Sequence, residues 1–208
     1  MSKKVLVAFF VLAFFTFFLA VDLNFTNFVY ADSSEGWVHK YGENGQYSAY
    51  SIVQAGDGGY AIAGISGSGA LFLKTDSYGN TEWNRTYAGE AARALVGTSD
   101  GGYAFAGGTR LVKTDVYGNV EWNSTFLKAS NAQSLIQTSD GGYAIGGYTG
   151  DVRYIEEQFF WLAKTDKLGH IIWSKTYETL MPANAHCVIQ TIDGGYALIG
   201  SSSHNPDF

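Results

Sequence analysis

Four copies of one tetrapeptide, Asp57-Gly58-Gly59-Tyr60, Asp100-Gly101-Gly102-Tyr103, Asp140-Gly141-Gly142-Tyr143 and Asp193-Gly194-Gly195-Tyr196, recur at spacings of 43, 40 and 53 residues. Self-similarity at this period restricts the fold to stacked repeats, because one such unit cannot bury its apolar face alone. A second motif, Lys-Thr-Asp-x-x-Gly, stands at Lys74–Gly79, Lys113–Gly118 and Lys164–Gly169, always between two copies of the first. Seven residues beyond its Asp comes a tryptophan, Trp83, Trp122 or Trp173, and just after that Thr86-Tyr87, Thr125-Phe126 or Thr176-Tyr177.

These markers parse each unit into four short strands. Strand a covers Ser51–Gln54, Ala94–Gly97, Ser134–Gln137 and Cys187–Gln190. Asp-Gly-Gly makes the turn, since adjacent glycines permit the positive φ of a tight hairpin. Strand b begins at the Tyr and contains Gly64, Gly107, Gly147 or Gly200, a position that marks a bulge or close backbone approach. Strand c ends in Lys-Thr, Asp-x-x-Gly-Asn makes the next turn, and strand d carries the Trp. The 26 glycines against 2 prolines, with 46% hydrophobic and 16% aromatic residues, suit a folded all-β chain. Four strands of about 40 to 45 residues make a propeller blade, with Trp and Tyr rings filling the space between sheets. A solenoid is the alternative.

At the N-terminus, Lys3 and Lys4 precede the apolar run Val5–Val21, and Val29-Tyr30-Ala31 supplies a small-residue cleavage site. This reads as a signal peptide cut after Ala31, or as an uncleaved membrane anchor, because 17 residues lie near the lower limit for a span. Residues 1–31 are therefore expected to be a signal or anchor helix, with the repeat domain at 32–208 secreted or held outside the cytoplasm. The net charge of -6 offers no basic patch for a phosphate backbone, so no nucleic-acid partner is expected. Membrane contact is expected only through the N-terminal segment.

Within 32–208 the units are strand d at 36–42, blades at 48–87, 91–126 and 131–177, and a partial blade at 184–203. Trp37 marks the first strand d, with no a, b or c recognised before it, and the last unit stops after strands a and b. The total is about 3.5 to 4 blades. Two readings stay open: a small ring closed by self-association through unpaired blade edges, or a truncated copy of a longer propeller.

The segments Leu111–Trp122 and Thr138–Gly147 resemble the DGGY-repeat exported proteins of archaea and bacteria, whose repeats are taken to form β-propellers. The resemblance covers nearly everything after residue 36 and implies architecture. The Asp-x-x-Gly-x-x-x-Trp half is also similar to blades of quinoprotein-dehydrogenase-like propellers, but no position here matches their cofactor site.

Candidate chemistry is sparse. Asp57, Asp100, Asp140 and Asp193, and likewise Asp76, Asp115 and Asp166, stand singly beside glycines and read as turn caps, without the ligand density of a calcium loop. The four histidines lack zinc spacing, so no metal and no cofactor is expected. Cys187 is the only cysteine, at a repeat position otherwise held by Ser51, Ala94 and Ser134, and reads as a buried structural thiol. Asn84 and Asn123 open equivalent glycosylation sequons, and Asn24 opens another inside the N-terminal segment. The third unit alone has an insertion, Thr149–Phe160, between strands b and c. Loops on a rigid scaffold carry function, so Asp151, Arg153, Tyr154, Glu156 and Glu157 are the candidate binding residues. The expectation is an extracellular or cell-surface binding scaffold that contacts a glycan, surface polymer or protein. A carbohydrate-active or quinoprotein-like enzyme and a structural surface-layer component are the alternatives, with enzymatic activity the less favoured.

Overall fold

The computed structural model describes residues 28–31, 37–42, 47–67, 69–126, 130–150, 158–178 and 182–202. Among them every regular element is a β-strand. A hairpin of β1 (Phe28–Ala31) and β2 (Trp37–Lys40) comes first. Blade 1 follows as β3 (Tyr47–Gln54), β4 (Tyr60–Ser66), β5 (Gly69–Thr75) and β6 (Thr81–Ala88). Blade 2 is β7 (Ala94–Gly97), β8 (Tyr103–Gly107), β9 (Arg110–Thr114) and β10 (Val120–Thr125). Blade 3 is β11 (Ser130–Gln137), β12 (Tyr143–Thr149), β13 (Phe159–Thr165) and β14 (Ile171–Tyr177). A two-stranded sheet of β15 (Ala183–Gln190) and β16 (Tyr196–Ser202) ends the series.

Each complete blade is an antiparallel meander in chain order, so the parse into four strands holds in all three. Only the first glycine of each Asp-Gly-Gly turn has positive φ, +86° at both Gly58 and Gly101. The second is required for a different reason: a Cβ on Gly59 would stand 2.0 Å from the Thr75 carbonyl oxygen. Tight approach also explains the glycine of strand b, where a Cβ on Gly64 would meet the Ser48 carbonyl oxygen at 2.0 Å. Strand a carries a bulge opposite it, between Ala49 and Ser51.

The a strands of successive blades lie side by side and form the inner wall. Ser51 Oγ of β3 accepts the Leu95 N–H of β7 at 3.1 Å, and Ser134 Oγ of β11 accepts the Val188 N–H of β15 at 3.0 Å. Strands d form the exposed outer edge. The cores lie between sheets: Ala61, Ala63 and Phe72 of blade 1 pack on Tyr103 and Phe105 of blade 2. Ala104, Ala106 and Leu111 of blade 2 meet Tyr143, Ile145 and Trp161 of blade 3 in the same way. Across these joints the two sequence motifs touch, with Trp122 on Tyr143 and Trp173 on Tyr196, each pair 5.7 Å between ring centroids.

Two expectations change at the ends. The hairpin shows that strand d of the first unit does not stand alone, because β1 pairs with it as strand c does in every blade. Strand β2 is in register with the blades: Tyr41 donates its hydroxyl to the Gly79 carbonyl at 2.6 Å, as Tyr87 donates to Gly118 at 2.6 Å. At the other end Cys187 is exposed, not buried. Its serine counterparts are covered by the next a strand, and β15 has no such neighbour among the described residues.

Candidate functional site

The meander gives each blade two ends. One holds the a–b and c–d turns, and the other holds the b–c hairpins and the links to the next blade. On the turn rim a lysine ties each blade together. Lys74, only 1% exposed, closes β5 and sends its ammonium to Asp57 of the a–b turn at 2.7 Å and to Glu82 of strand d at 2.7 Å. Its third proton goes to the Thr75 carbonyl at 2.9 Å. Lys113 repeats this with Asp100 at 2.8 Å, Glu121 at 2.7 Å and the Thr114 carbonyl at 3.0 Å. Lys164 pairs with Asp140 at 2.9 Å and the Thr165 carbonyl at 2.6 Å. In blade 3 the position of Glu82 and Glu121 is held by Ile172, so the second carboxylate is missing.

The electrostatics follow from this geometry. The Lys74 hydrogen bond holds the Asp57 carboxyl below its usual range against partial burial. Burial pushes Asp100 upward, yet Lys113, Thr98 and the Gly102 N–H outweigh it and bring the group down to about 2. Thr138, Lys164 and the Gly142 N–H bring Asp140 to about 2 as well. For Lys74 and Lys113 burial pulls the ammonium down, but two carboxylates prevail and the net direction is up. An ammonium has three protons to give, and those of Lys74 and Lys113 each have a near acceptor. Lys74 and Lys113 are therefore clamps whose three protons are all committed within the blade.

Beside the clamps, the c–d turns present their tips. Asp76 Oδ1 accepts the N–H groups of Tyr78 at 2.8 Å and Asn80 at 2.9 Å, and Oδ2 accepts the Asn80 amide at 2.8 Å. Asp115 holds Tyr117 and Asn119 in the same manner. Asp166 holds Leu168 and His170, whose ring Nδ1 lies 3.0 Å from it. The fixed tips carry large side chains into solvent: Tyr78 is 71% exposed, Tyr117 65% and Leu168 52%. Sequence reasoning passed over these residues. Their signal was an apolar or aromatic residue before the turn glycine in all three copies.

The fourth Asp-Gly-Gly turn differs. Asp193 accepts the Thr191 hydroxyl and, at 3.1 Å, the Gly195 N–H. Among the described residues no strand c stands beside it to bring a lysine.

Of the residues singled out in sequence, Asp151, Arg153, Tyr154, Glu156 and Glu157 lie outside the described residues, as do the apolar run and Asn24. The stem of that insertion is described: Thr149 pairs with Phe159, and the Gln158 carbonyl accepts the Ala183 N–H at 2.8 Å. This places the described stem at the hairpin end, opposite the turn rim. Asn84 and Asn123 are exposed on the outer d strands. Among the described residues no group of three His, Cys, Asp or Glu could hold a metal ion.

The fold is that of β-propellers. A Bacteroides caccae protein of unknown function superposes with a TM-score of 0.55 at 12% identity, covering 82% of this chain and 60% of the other. The WD40 propeller domain of Doa1 gives 0.54 at 13% identity, covering 85% and 57%. BBS1N, solved in complex with ARL6DN, gives 0.50 at 14%, covering 85% and 58%. The chain thus spans about six tenths of the length of these structures. No family model matches the chain, and no curated protein matches it.

Proposed function

We propose that this chain is an interaction scaffold held outside the cytoplasm, like the exported DGGY-repeat proteins it resembles, and that it meets a surface glycan or protein along its turn rim. The observation that carries this reading is the row of Tyr78, Tyr117 and Leu168, exposed on tips that aspartates and lysine clamps hold in place. Rings offered from a preorganised turn supply contact area at low entropic cost, and their faces suit the C–H face of a sugar or an arginine. BBS1N, which shares the fold, is solved in complex with ARL6DN. Lys3, Lys4 and the apolar run support export. The pairing of Phe28–Ala31 with β2 favours an anchor, or a cut upstream of Phe28, over a cut after Ala31.

A second reading places the contact on the b–c insertion. It is favoured by loop length: nine residues separate the paired Thr149 and Phe159, against two between Gly107 and Arg110. Glycan-array and pull-down measurements on the full chain separate the readings. Tyr78→Ala with Tyr117→Ala is expected to weaken capture at least about tenfold, in line with loss of two interface aromatics. Unchanged capture by that variant, with loss on Tyr154→Ala, Glu156→Ala and Glu157→Ala, moves the site to the insertion. A chain that retains no glycan or protein at high concentration overturns the scaffold reading.

A further inference from the structure

Strand a of each blade holds one residue more than its partner can pair. Tyr50 is the residue skipped between Ala49 and Ser51 of β3, Gln133 the one between Ala132 and Ser134 of β11, and His186 the one between Ala185 and Cys187 of β15. In blade 2 the place belongs to Arg93, whose N–H reaches the Ala106 carbonyl at 2.8 Å although Ala94 also stands opposite Ala106. A bulge re-aims its extra side chain, and here it aims it out of the packed faces. Ala92 and Ala94 are buried while Arg93 between them is exposed, and His186 is exposed beside buried Ala185. Tyr50 is exposed as well, and Gln133 is half-buried.

These four side chains stand on neighbouring strands of the inner wall. The Ser51–Leu95 and Ser134–Val188 bonds join the same two repeat positions, and between them Ala132 of β11 donates to the Gly108 carbonyl of blade 2 at 2.8 Å. The bulges of the first two blades touch directly, with the Arg93 guanidinium 5.0 Å from the centroid of the Tyr50 ring. Each bulge falls in the first half of its strand a, so the row lies toward the hairpin end, away from the turn rim. Its members are Tyr, Arg, Gln and His, all able to hydrogen-bond, none aliphatic and none acidic.

Arg93 is the uncommitted member. Arg85 gives its Nε–H to the Tyr117 carbonyl at 2.9 Å, and Arg110 donates to the Ala88 carbonyl at 2.5 Å. Among the described residues the Arg93 side chain has no hydrogen bond and no ion pair, and only the Tyr50 ring holds it. Glu90, the nearest acidic residue in sequence, turns its carboxylate to the Thr109 N–H at 2.7 Å.

We propose that this row binds a uronate sugar. The Arg93 fork takes the carboxylate, a geometry that an arginine suits better than any other side chain. The exposed remainder of the Tyr50 ring takes the C–H face of the sugar, and Gln133 and His186 serve its hydroxyls. Both are already oriented: Gln133 Nε2 donates to Asn131 Oδ1 at 3.0 Å, and His186 Nε2 lies 2.8 Å from Ser201 Oγ. An acidic peptide would need apolar pockets beside its carboxylates, and a row without an aliphatic member supplies none. The site is distinct from the turn rim, and the two stand or fall separately.

The test is calorimetric titration of the full chain with a short oligogalacturonate, its methyl ester and oligoglutamate. Binding is expected for the oligogalacturonate, at least about tenfold weaker for the uncharged ester, and weaker still for oligoglutamate. Arg93→Ala is expected to weaken oligogalacturonate binding at least about tenfold, the scale of a lost charge-assisted pair. Arg93→Lys should recover little of it, because the fork is gone though the charge remains. Tyr50→Ala and His186→Ala should each weaken binding severalfold, whereas Tyr78→Ala with Tyr117→Ala on the rim should leave it unchanged. Equal binding of the ester, full binding by Arg93→Ala, preference for oligoglutamate, or no binding of oligogalacturonate each overturns the proposal. Arg93, Tyr50 and His186 are exposed, so their variants should keep the Tm of the parent chain, and the ester comparison needs no variant at all.

Discussion

A buried lysine fastens the turn rim of each complete blade, beneath two carboxylates in blades 1 and 2 and beneath Asp140 alone in blade 3. Truncating Lys113 to Met removes charge-assisted hydrogen bonds worth about 1.5–3 kcal/mol each in other proteins, less here because Asp100 and Glu121 can be rehydrated. The expected loss is about 2 kcal/mol, read from the denaturant midpoint at constant slope. Blade 3 offers the converse. Ile172 is exposed where a glutamate stands in blades 1 and 2, so Ile172→Glu should complete the clamp on Lys164 and add up to about 1 kcal/mol, or roughly 2–4 °C in Tm. The pH dependence has a definite sign. Asp100 and Asp140 are held at about 2 in the folded chain, against about 3.9 unfolded. Their stabilisation is complete above the unfolded value and is lost as pH falls from about 4 to about 2. Thermal scans should therefore show Tm nearly level from pH 7 to 5 and falling steeply toward pH 2.5. A Lys113→Met variant should show a shallower fall. The lysines act in the opposite sense, and their share disappears only as pH rises above the ordinary lysine value.

At the scale of the strand and turn, the two glycines of Asp-Gly-Gly have separate duties. Gly101 needs its positive φ, whereas a Cβ on Gly102 would meet the Thr114 carbonyl at 2.3 Å. Gly101→Ala should cost about 1–2 kcal/mol through backbone strain, and Gly102→Ala more, about 3 kcal/mol, because the clamp turn must move off strand c. Paired chemical denaturation curves rank them. The repeat made the blades legible: hairpin glycines, ring positions and strand order could all be read from spacing, since each is a local property. What escaped was not local. The clamp joins Lys74 to Asp57 and Glu82, 17 and 8 residues away, so a reading that scored Asp57 beside its own glycines saw a cap and missed the cation. Strand β1 escaped because Phe28–Ala31 lacks the Lys-Thr-Asp-x-x-Gly tail and sits in what reads as a cleavage region. Cys187 was judged by its serine counterparts, and that judgement failed where the neighbouring a strand ends.

For the whole molecule the joints between blades decide cohesion, since each sheet touches only its neighbours. Trp122 against Tyr143 is the outer fastening between blades 2 and 3. Trp122→Ala should cost about 2–3 kcal/mol, below the full core value because the ring is half-buried. Hydrogen exchange should localise the damage, with protection falling in β11–β16 more than in β3–β6, and uniform loss across all blades would count against a joint-by-joint architecture. The meander has one more consequence, for assembly in time. Every strand after β3 pairs with the strand next to it in sequence, inside its own sheet. Among the described residues each sheet is laddered by strands adjacent in sequence, so its hydrogen bonds close only short loops. A nascent blade can finish its hydrogen-bond ladder while the following one is still being synthesised, so the strands still waiting for a partner are those of the blade being made.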